Sequence, residues 1–185
     1  MIEARDSRKE EPFDKGLVQI YTGNGKGKTT AATGLVVRAV GHGLRVCFIY
    51  FIKGDPCYGE PEVLENLPNV TVARFGMLGH VDPNNVTEEE KQQAQRGLEA
   101  ARKAMLGGEY DIVILDEVNI AVAWKLLPVE DVLSLIEEKP DNVELILTGR
   151  YADPRLVEAA DLVTEMKEIK HPYQRGILAR CGIEY

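Results

Sequence analysis

Apolar residues along this chain fall into two alternating patterns. Short, largely apolar runs occur at 17–21 (Leu-Val-Gln-Ile-Tyr), 45–52 (Arg-Val-Cys-Phe-Ile-Tyr-Phe-Ile), 70–75, 111–115 and 143–148, with a sixth at 162–166. Bounded runs of this length predict strands, and those apolar on both faces belong to parallel sheets covered by helices. Between them, apolar positions recur every three or four residues. The stretch 28–40 places Ala32, Leu35, Val36 and Ala39 on one helical stripe and stops at Gly41-His-Gly43, as glycine after a helix does. A short helix is predicted over 60–67. Thr87-Glu-Glu-Glu90 has the form of a capping box; the helix after it buries Ala94, Leu98, Ala101 and Met105 and stops at Gly107-Gly108. Pro128 suits the first turn of a helix whose stripe is Val129, Val132, Leu133 and Ile136, and Asp153-Pro154 opens a short helix to Ala160.

Strands alternating with helices predict an α/β fold, with a mainly parallel sheet flanked by helices. Residues 1–15 are polar, with mixed charges and Pro12, and read as an N-terminal tail. Residues 16–185 read as a single domain. In such sheets ligands bind beyond the carboxyl ends of the strands. That rule singles out residues 23–29, Lys53, 76–81, 116–119 and 149–151.

The first of these segments carries recognisable chemistry. A phosphate loop has the pattern G-x-x-x-x-G-K-[ST]; here Gly27, Lys28 and Thr29 fill its last positions and Thr22 stands where the first glycine would be. Gly23, Asn24, Gly25, Lys26, Gly27, Lys28, Thr29 and Thr30 are therefore candidate nucleotide-binding residues. Glycines let successive N–H groups turn inward as an anion nest, and the helix start adds its positive dipole end. Lys28 suits phosphate oxygens and the Thr29 hydroxyl suits Mg²⁺. The apolar run 112–115 leads into Asp116-Glu117, the acidic half of such a site, where either acid would hold Mg²⁺ directly or through water. Glu117 is chemically ambiguous: it can serve as a general base toward water, or as a metal ligand in a site whose chemistry lies elsewhere on the nucleotide. Lys53 and Arg150 sit at strand ends, where they read equally as contacts to phosphate or another ligand and as surface salt-bridge partners, whereas Arg38, His42 and Trp124 read as structural.

Composition narrows the partners. The 185 residues carry a formal charge of −8, with 44% hydrophobic and 28% charged residues, an ordinary globular balance. The acidic balance argues against capture of nucleic acid, which needs clustered Lys and Arg. Cys47, Cys57 and Cys181 lack metal-like spacing and read as reduced thiols. No run approaches the roughly 20 apolar residues that span a bilayer, nor is there a signal peptide, so a cytoplasmic location is expected.

Beyond the phosphate loop, the motifs Arg38-Ala-Val-Gly-His-Gly43, Phe51-Ile-Lys-Gly54, Leu115-Asp-Glu117, Thr148-Gly-Arg150 and Lys170-His171 accompany Thr22-Gly-Asn-Gly-Lys-Gly-Lys-Thr-Thr-Ala-Ala32. Together, over roughly 16–185, they resemble the ATP:corrinoid adenosyltransferases, also called cob(I)alamin adenosyltransferases, in whose pattern Thr22 is itself expected. The resemblance implies a RecA-like P-loop fold. It implies transfer of the 5′-deoxyadenosyl group of ATP to a reduced Co(I) corrinoid with release of triphosphate, in cobalamin biosynthesis or salvage. In that family the triphosphate lies reversed in the loop. The resemblance assigns triphosphate binding to Gly23–Thr29, gives Mg²⁺ to Thr29 and Glu117 with Asp116 as supporting acid, and implies a homodimer. With no redox motif in the chain, an external reductant, a flavoprotein, is expected. The family's aromatic stretch against the corrinoid corresponds here to Phe75-Gly-Met-Leu-Gly-His-Val81, which has one aromatic and no Trp. Met77, Leu78 and Val81 are left to face the macrocycle, and His80 reads as a solvated loop residue. Two other readings stand beside this one: an ATPase or small-molecule kinase using Glu117 as base, and a non-catalytic ATP sensor.

Overall fold

The computed structural model describes residues 15–52, 58–77, 79 and 81–185. Among them six strands form one sheet: β1 (Val18–Thr22), β2 (Val46–Tyr50), β3 (Val70–Arg74), β4 (Ile112–Asp116), β5 (Glu144–Thr148) and β6 (Leu162–Glu165). Their spatial order is β3-β2-β4-β5-β1-β6 and every pairing is parallel. The expected mainly parallel sheet is thus wholly parallel.

The helices are α1 (Lys28–Gly41), α2 (Gly59–Glu65), α3 (Glu88–Leu106), α4 (Val118–Ala123), α5 (Val129–Glu137) and α6 (Pro154–Ala159). Strand alternation divides the core between the two faces of the sheet. Cys47, Ile49, Val113, Leu115, Leu145 and Leu147 face the side covered by Leu98 and Met105 of α3, Val118 of α4, Val132 of α5 and Leu156 of α6. Val46, Phe48, Tyr50, Ile112, Ile114 and Ile146 face Ala32, Val36 and Ala39 of α1 and Leu64 of α2. All five residues of β2, β4 and β5 are buried, which accounts for runs that are apolar without alternation.

Local signals hold in detail. The Thr87 hydroxyl accepts from the Glu90 N–H at 3.2 Å and the Glu90 carboxylate accepts from the Thr87 N–H at 2.7 Å, completing the capping box. Asp153 caps α6 by accepting from Arg155 N–H. Trp124 packs half-buried against the core. Arg38 and His42 are exposed at the end of α1. Burial pushes the Cys47 thiol up to about 11, so it stays protonated at neutral pH. The expected tail falls outside the described residues, apart from Lys15.

One clamp ties the starts of two strands together. Asp111 accepts from the Arg45 backbone N–H at 2.8 Å and from its guanidinium at 2.7 and 3.2 Å. Burial pushes this carboxyl up, but the hydrogen bonds from Arg45 outweigh it and hold it below its ordinary value of 3.8. A depressed carboxylate stabilises the fold at pH above its unfolded value and loses that contribution as pH falls through the folded one. Asp111→Asn is expected to cost about 1–3 kcal/mol at neutral pH. The gap to wild type narrows below the ordinary value; urea melts at several pH values check this.

Candidate active site

The loop between β1 and α1 is shaped by positive backbone φ at Gly23 (97°) and Gly27 (120°), angles that L side chains rarely adopt. The same loop is pressed against the end of β6. A Cβ on Gly25 would lie 2.6 Å from the Met166 carbonyl oxygen, and the Gly25 N–H donates to that oxygen at 2.6 Å. The glycines are expected to turn successive loop N–H groups toward an anion; the Gly25 N–H points to Met166, just after β6. These glycines provide close approach as well as conformational freedom. Gly25→Ala is expected to push the loop off β6, lowering stability by about 1–3 kcal/mol and weakening nucleotide binding with it. Thermal melts and ATP titration of the variant provide the check.

Thr22 has work of its own. Its hydroxyl accepts from the Ala152 N–H at 3.3 Å, linking the phosphate loop to the segment that carries Arg150. Lys28, buried at 7% exposure, donates its ammonium to the carbonyls of Gly23 and Gly25 at 2.8 and 2.9 Å. These contacts hold the charge in the middle of the loop.

Glu117 shares a cleft with the phosphate loop, although its strand is not the neighbour of β1: β5 lies between β4 and β1. Two strand spacings, about 10 Å, separate the two chains. Thr148, at the end of β5, bridges that interval on the acidic side. Its hydroxyl donates to Asp116 Oδ1 at 2.6 Å and accepts from the Glu117 N–H at 3.0 Å. Asp116 is fully buried. Glu117 adopts the left-handed conformation, φ 64° and ψ 18°, as it starts α4. A β-carbon-bearing residue there costs on the order of 1–3 kcal/mol, so its side chain is retained at an energetic cost. Beside it, a Cβ on Gly149 (φ 130°) would lie 3.0 Å from Ile120 N and 3.2 Å from a Glu117 carboxylate oxygen, which shows how closely the acid is packed.

These elements converge on a cleft of about 270 Å³, lined by Gly25 through Thr30 together with Glu117 and Arg150. The remaining described lining residues are Tyr58, Glu60, His171, Ile183 and Glu184. Gly23 and Asn24 belong to the loop and Asp116 is buried; none of the three contributes to the cleft wall. Lys26 reaches the carbonyl of Ile183 at 2.6 Å and Glu184 Oε1 at 2.9 Å. Lys53, Leu78 and His80 lie outside the described residues. Val81 is buried in the core, which corrects its expected place on an apolar surface; Met77 is half-buried, and Phe75 packs against the core. Sequence reasoning gave no role to Tyr58, Glu60, Ile183 or Glu184. Thr148 and His171 were legible only as parts of motifs.

The donor set fits a nucleotide-borne Mg²⁺. Among the described residues no group of three His, Cys, Asp or Glu side chains could cage a metal. Mg²⁺ requires no such cage, since it is typically held by one or two carboxylates plus substrate phosphates and water. The described lining has three cations (Lys26, Lys28, Arg150) against three carboxylates (Glu60, Glu117, Glu184). Fixed charges alone give a polyanion little net attraction, and a dication bound beside Glu117 would reverse that.

The sequence profile of the family described as ATP:corrinoid adenosyltransferase BtuR/CobO/CobP matches residues 14–185. The chain belongs to that family. The corrinoid adenosyltransferase of Escherichia coli K12 is 34% identical over 184 residues, covering 100% of this chain and 92% of that protein. The corrinoid adenosyltransferase of a Sinorhizobium species is 38% identical over 175 residues, covering 93% and 81% respectively. Corrinoid adenosyltransferase CobA of Salmonella typhimurium is 34% identical over 184 residues, at 100% and 92%. The chain is therefore an enzyme of the corrinoid adenosyltransferase class, with the α/β P-loop-like fold expected of it, and these relatives do not favour the ATPase, kinase or sensor readings. No helix among the described residues is long and apolar enough to cross a membrane.

Proposed function

We propose that the cleft binds ATP by its triphosphate on residues 23–30, with Arg150 beside them, and presents C5′ of the nucleotide to the Co(I) of a reduced corrinoid. The observation that carries this reading is the buried Lys28 ammonium at the centre of the loop, in one cleft with Glu117. In the reaction Co(I) supplies an electron pair to C5′ and the cobalt–carbon bond forms. The C5′–O bond breaks, its pair leaves on triphosphate, and cobalt becomes formally Co(III). Charge thus grows on the leaving group and not around a transferred phosphoryl. Donors fixed in place before the reaction stabilise that charge most effectively.

In this reading the Thr29 hydroxyl and Glu117 hold Mg²⁺, which when bound supplies neutralising charge to the triphosphate. Asp116, accepting from Thr148, steadies the start of α4 and hence Glu117. Lys28 exchanges its hold on the loop carbonyls for phosphate oxygens. Residues 16–185 act as one nucleotide-binding unit, and the triphosphate lies in the reversed sense that the family resemblance implies. The resemblance also supports a homodimer in the cytoplasm, with a flavoprotein as electron donor. Exposed Leu162 and Val163 on the edge strand β6 offer apolar surface for such an assembly.

The test is anaerobic incubation with ATP, Mg²⁺ and chemically reduced cobalamin, following the absorbance of the cobalt–carbon bond and separating the phosphates afterwards. Triphosphate formed in step with the alkylated corrinoid is expected. ADP in its place would overturn the transfer reading in favour of hydrolysis or phosphorylation. Nucleotide binding with no turnover would favour a sensor.

A further inference from the structure

We propose that Glu184 is a positioning residue of the nucleotide site, acting through Lys26: residues 180–185 hold that lysine's ammonium at the lip of the phosphate loop as a second cation for the polyphosphate. This rests on the reading of the cleft as a triphosphate site. It assigns a function to a stretch of chain far from the loop in sequence.

The turn is built to present its acceptors. Gly182, at φ 75°, donates its N–H to the Tyr185 carbonyl at 2.7 Å, while the N–H groups of Ile183 and Glu184 both donate to the Arg180 carbonyl. Arg180 then grips the Glu184 carboxylate: Oε2 accepts from its backbone N–H at 2.8 Å and its Nε at 3.1 Å, and Oε1 from its Nη2 at 3.0 Å. Into this assembly Lys26 places its ammonium, 2.6 Å from the Ile183 carbonyl oxygen and 2.9 Å from Glu184 Oε1. The hydrogen bonds from Arg180, and next those from Lys26, hold the Glu184 carboxyl well below the usual carboxylate range. It stays charged throughout the physiological pH range.

Stability does not account for so much wiring. The Lys26 side chain is 46% exposed, and an ion pair at such a site contributes little to folding. What the arrangement does is fix a long, flexible side chain. An ammonium has three N–H donors; Ile183 and Glu184 take two, leaving one for a ligand. Lys26, Ile183 and Glu184 all line the same cleft as Lys28. The ordering cost of Lys26 is thereby met before the polyanion arrives, and preorganisation of this kind appears directly as affinity.

The experiment uses the full chain with Mg²⁺ and two probes, inorganic triphosphate and ATP, titrated by calorimetry. Glu184→Gln is expected to raise the triphosphate Kd about 3–10-fold, and Lys26→Met at least as much. In a Lys26→Met background, Glu184→Gln should add nothing. In turnover, KM for ATP rises with Glu184→Gln while kcat is retained. The exchange Lys26→Glu with Glu184→Lys restores a pair but puts the carboxylate on the loop, and it should bind worse than either single variant. Unchanged or tighter binding by Glu184→Gln, an undiminished loss in the Lys26→Met background, or wild-type affinity of the exchanged pair would each overturn the proposal. These outcomes are separable from failure of the transferase reading. A wild type that binds triphosphate but never forms a cobalt–carbon bond defeats that reading alone, whereas an active transferase indifferent to Glu184→Gln defeats this one alone.

Discussion

Lys28→Ala is expected to leave a folded protein whose affinity for ATP falls about 10–100-fold and whose turnover falls about 10²–10³-fold. The first figure is the worth of hydrogen bonds from a charged donor, about 1.5–3 kcal/mol. The second is the usual cost of removing one donor aimed at developing negative charge. Both follow from position: the ammonium is buried in the loop and held by the carbonyls of Gly23 and Gly25. Removing it also leaves two carbonyls short of a donor, so a drop of a few degrees in melting temperature is expected beside the functional loss. Lys28→Arg separates the effects. It keeps the charge but brings a planar fork that does not match the two converging carbonyls, so activity should recover only in part. Wild-type ATP affinity in Lys28→Ala would show that the loop does not hold the phosphates.

Glu117 yields a prediction with two opposite signs. Glu117→Gln keeps the shape and removes the charge, and the Mg²⁺ concentration for half-maximal activity is expected to rise at least the 10–100-fold typical of disturbing a metal site. Glu117→Gly loses the metal in the same way but relieves the left-handed backbone, φ 64°. Stability should therefore hold or rise, by up to about 1 kcal/mol, while activity collapses. A residue kept for folding would lose both together. If the Mg²⁺ dependence of Glu117→Gln matched wild type, the ligand role would pass to Asp116, although that carboxylate is enclosed and already accepts from Thr148.

Much of this was legible in the chain because the signals are local. Continuous burial of β2, β4 and β5 forces continuous apolar runs, the Thr87–Glu90 box announces α3, and the glycines with Lys28 and Thr29 announce an anion site. What was not legible depends on pairings between distant segments. No local pattern states that β5 inserts between β4 and β1, so Thr148 gave no hint that it bridges Asp116 and Glu117. The short helix α4 follows β4 at once and is buried at Val118, Asn119, Ile120, Ala121 and Val122, so its apolar residues show no stripe from which a period could be read. Val81 was expected to face the macrocycle with Met77 and Leu78, yet it turns into the core. Glu184 lies 158 residues from Lys26, and neither residue type at its position signals the other.

The contact between the phosphate loop and β6 has a dynamic consequence. β6 is an edge strand whose only sheet neighbour among the described residues is β1, and all four of its residues are exposed; edges of this kind open first in native-state fluctuations. Because Met166 receives the Gly25 N–H and gives its own N–H to Thr22, detachment of that edge would deform the loop that grips the phosphates. By linkage, a ligand that needs the loop intact suppresses the opening. Amides at 162–166 should then exchange with deuterium more slowly in the presence of nucleotide, although β6 itself does not line the cleft.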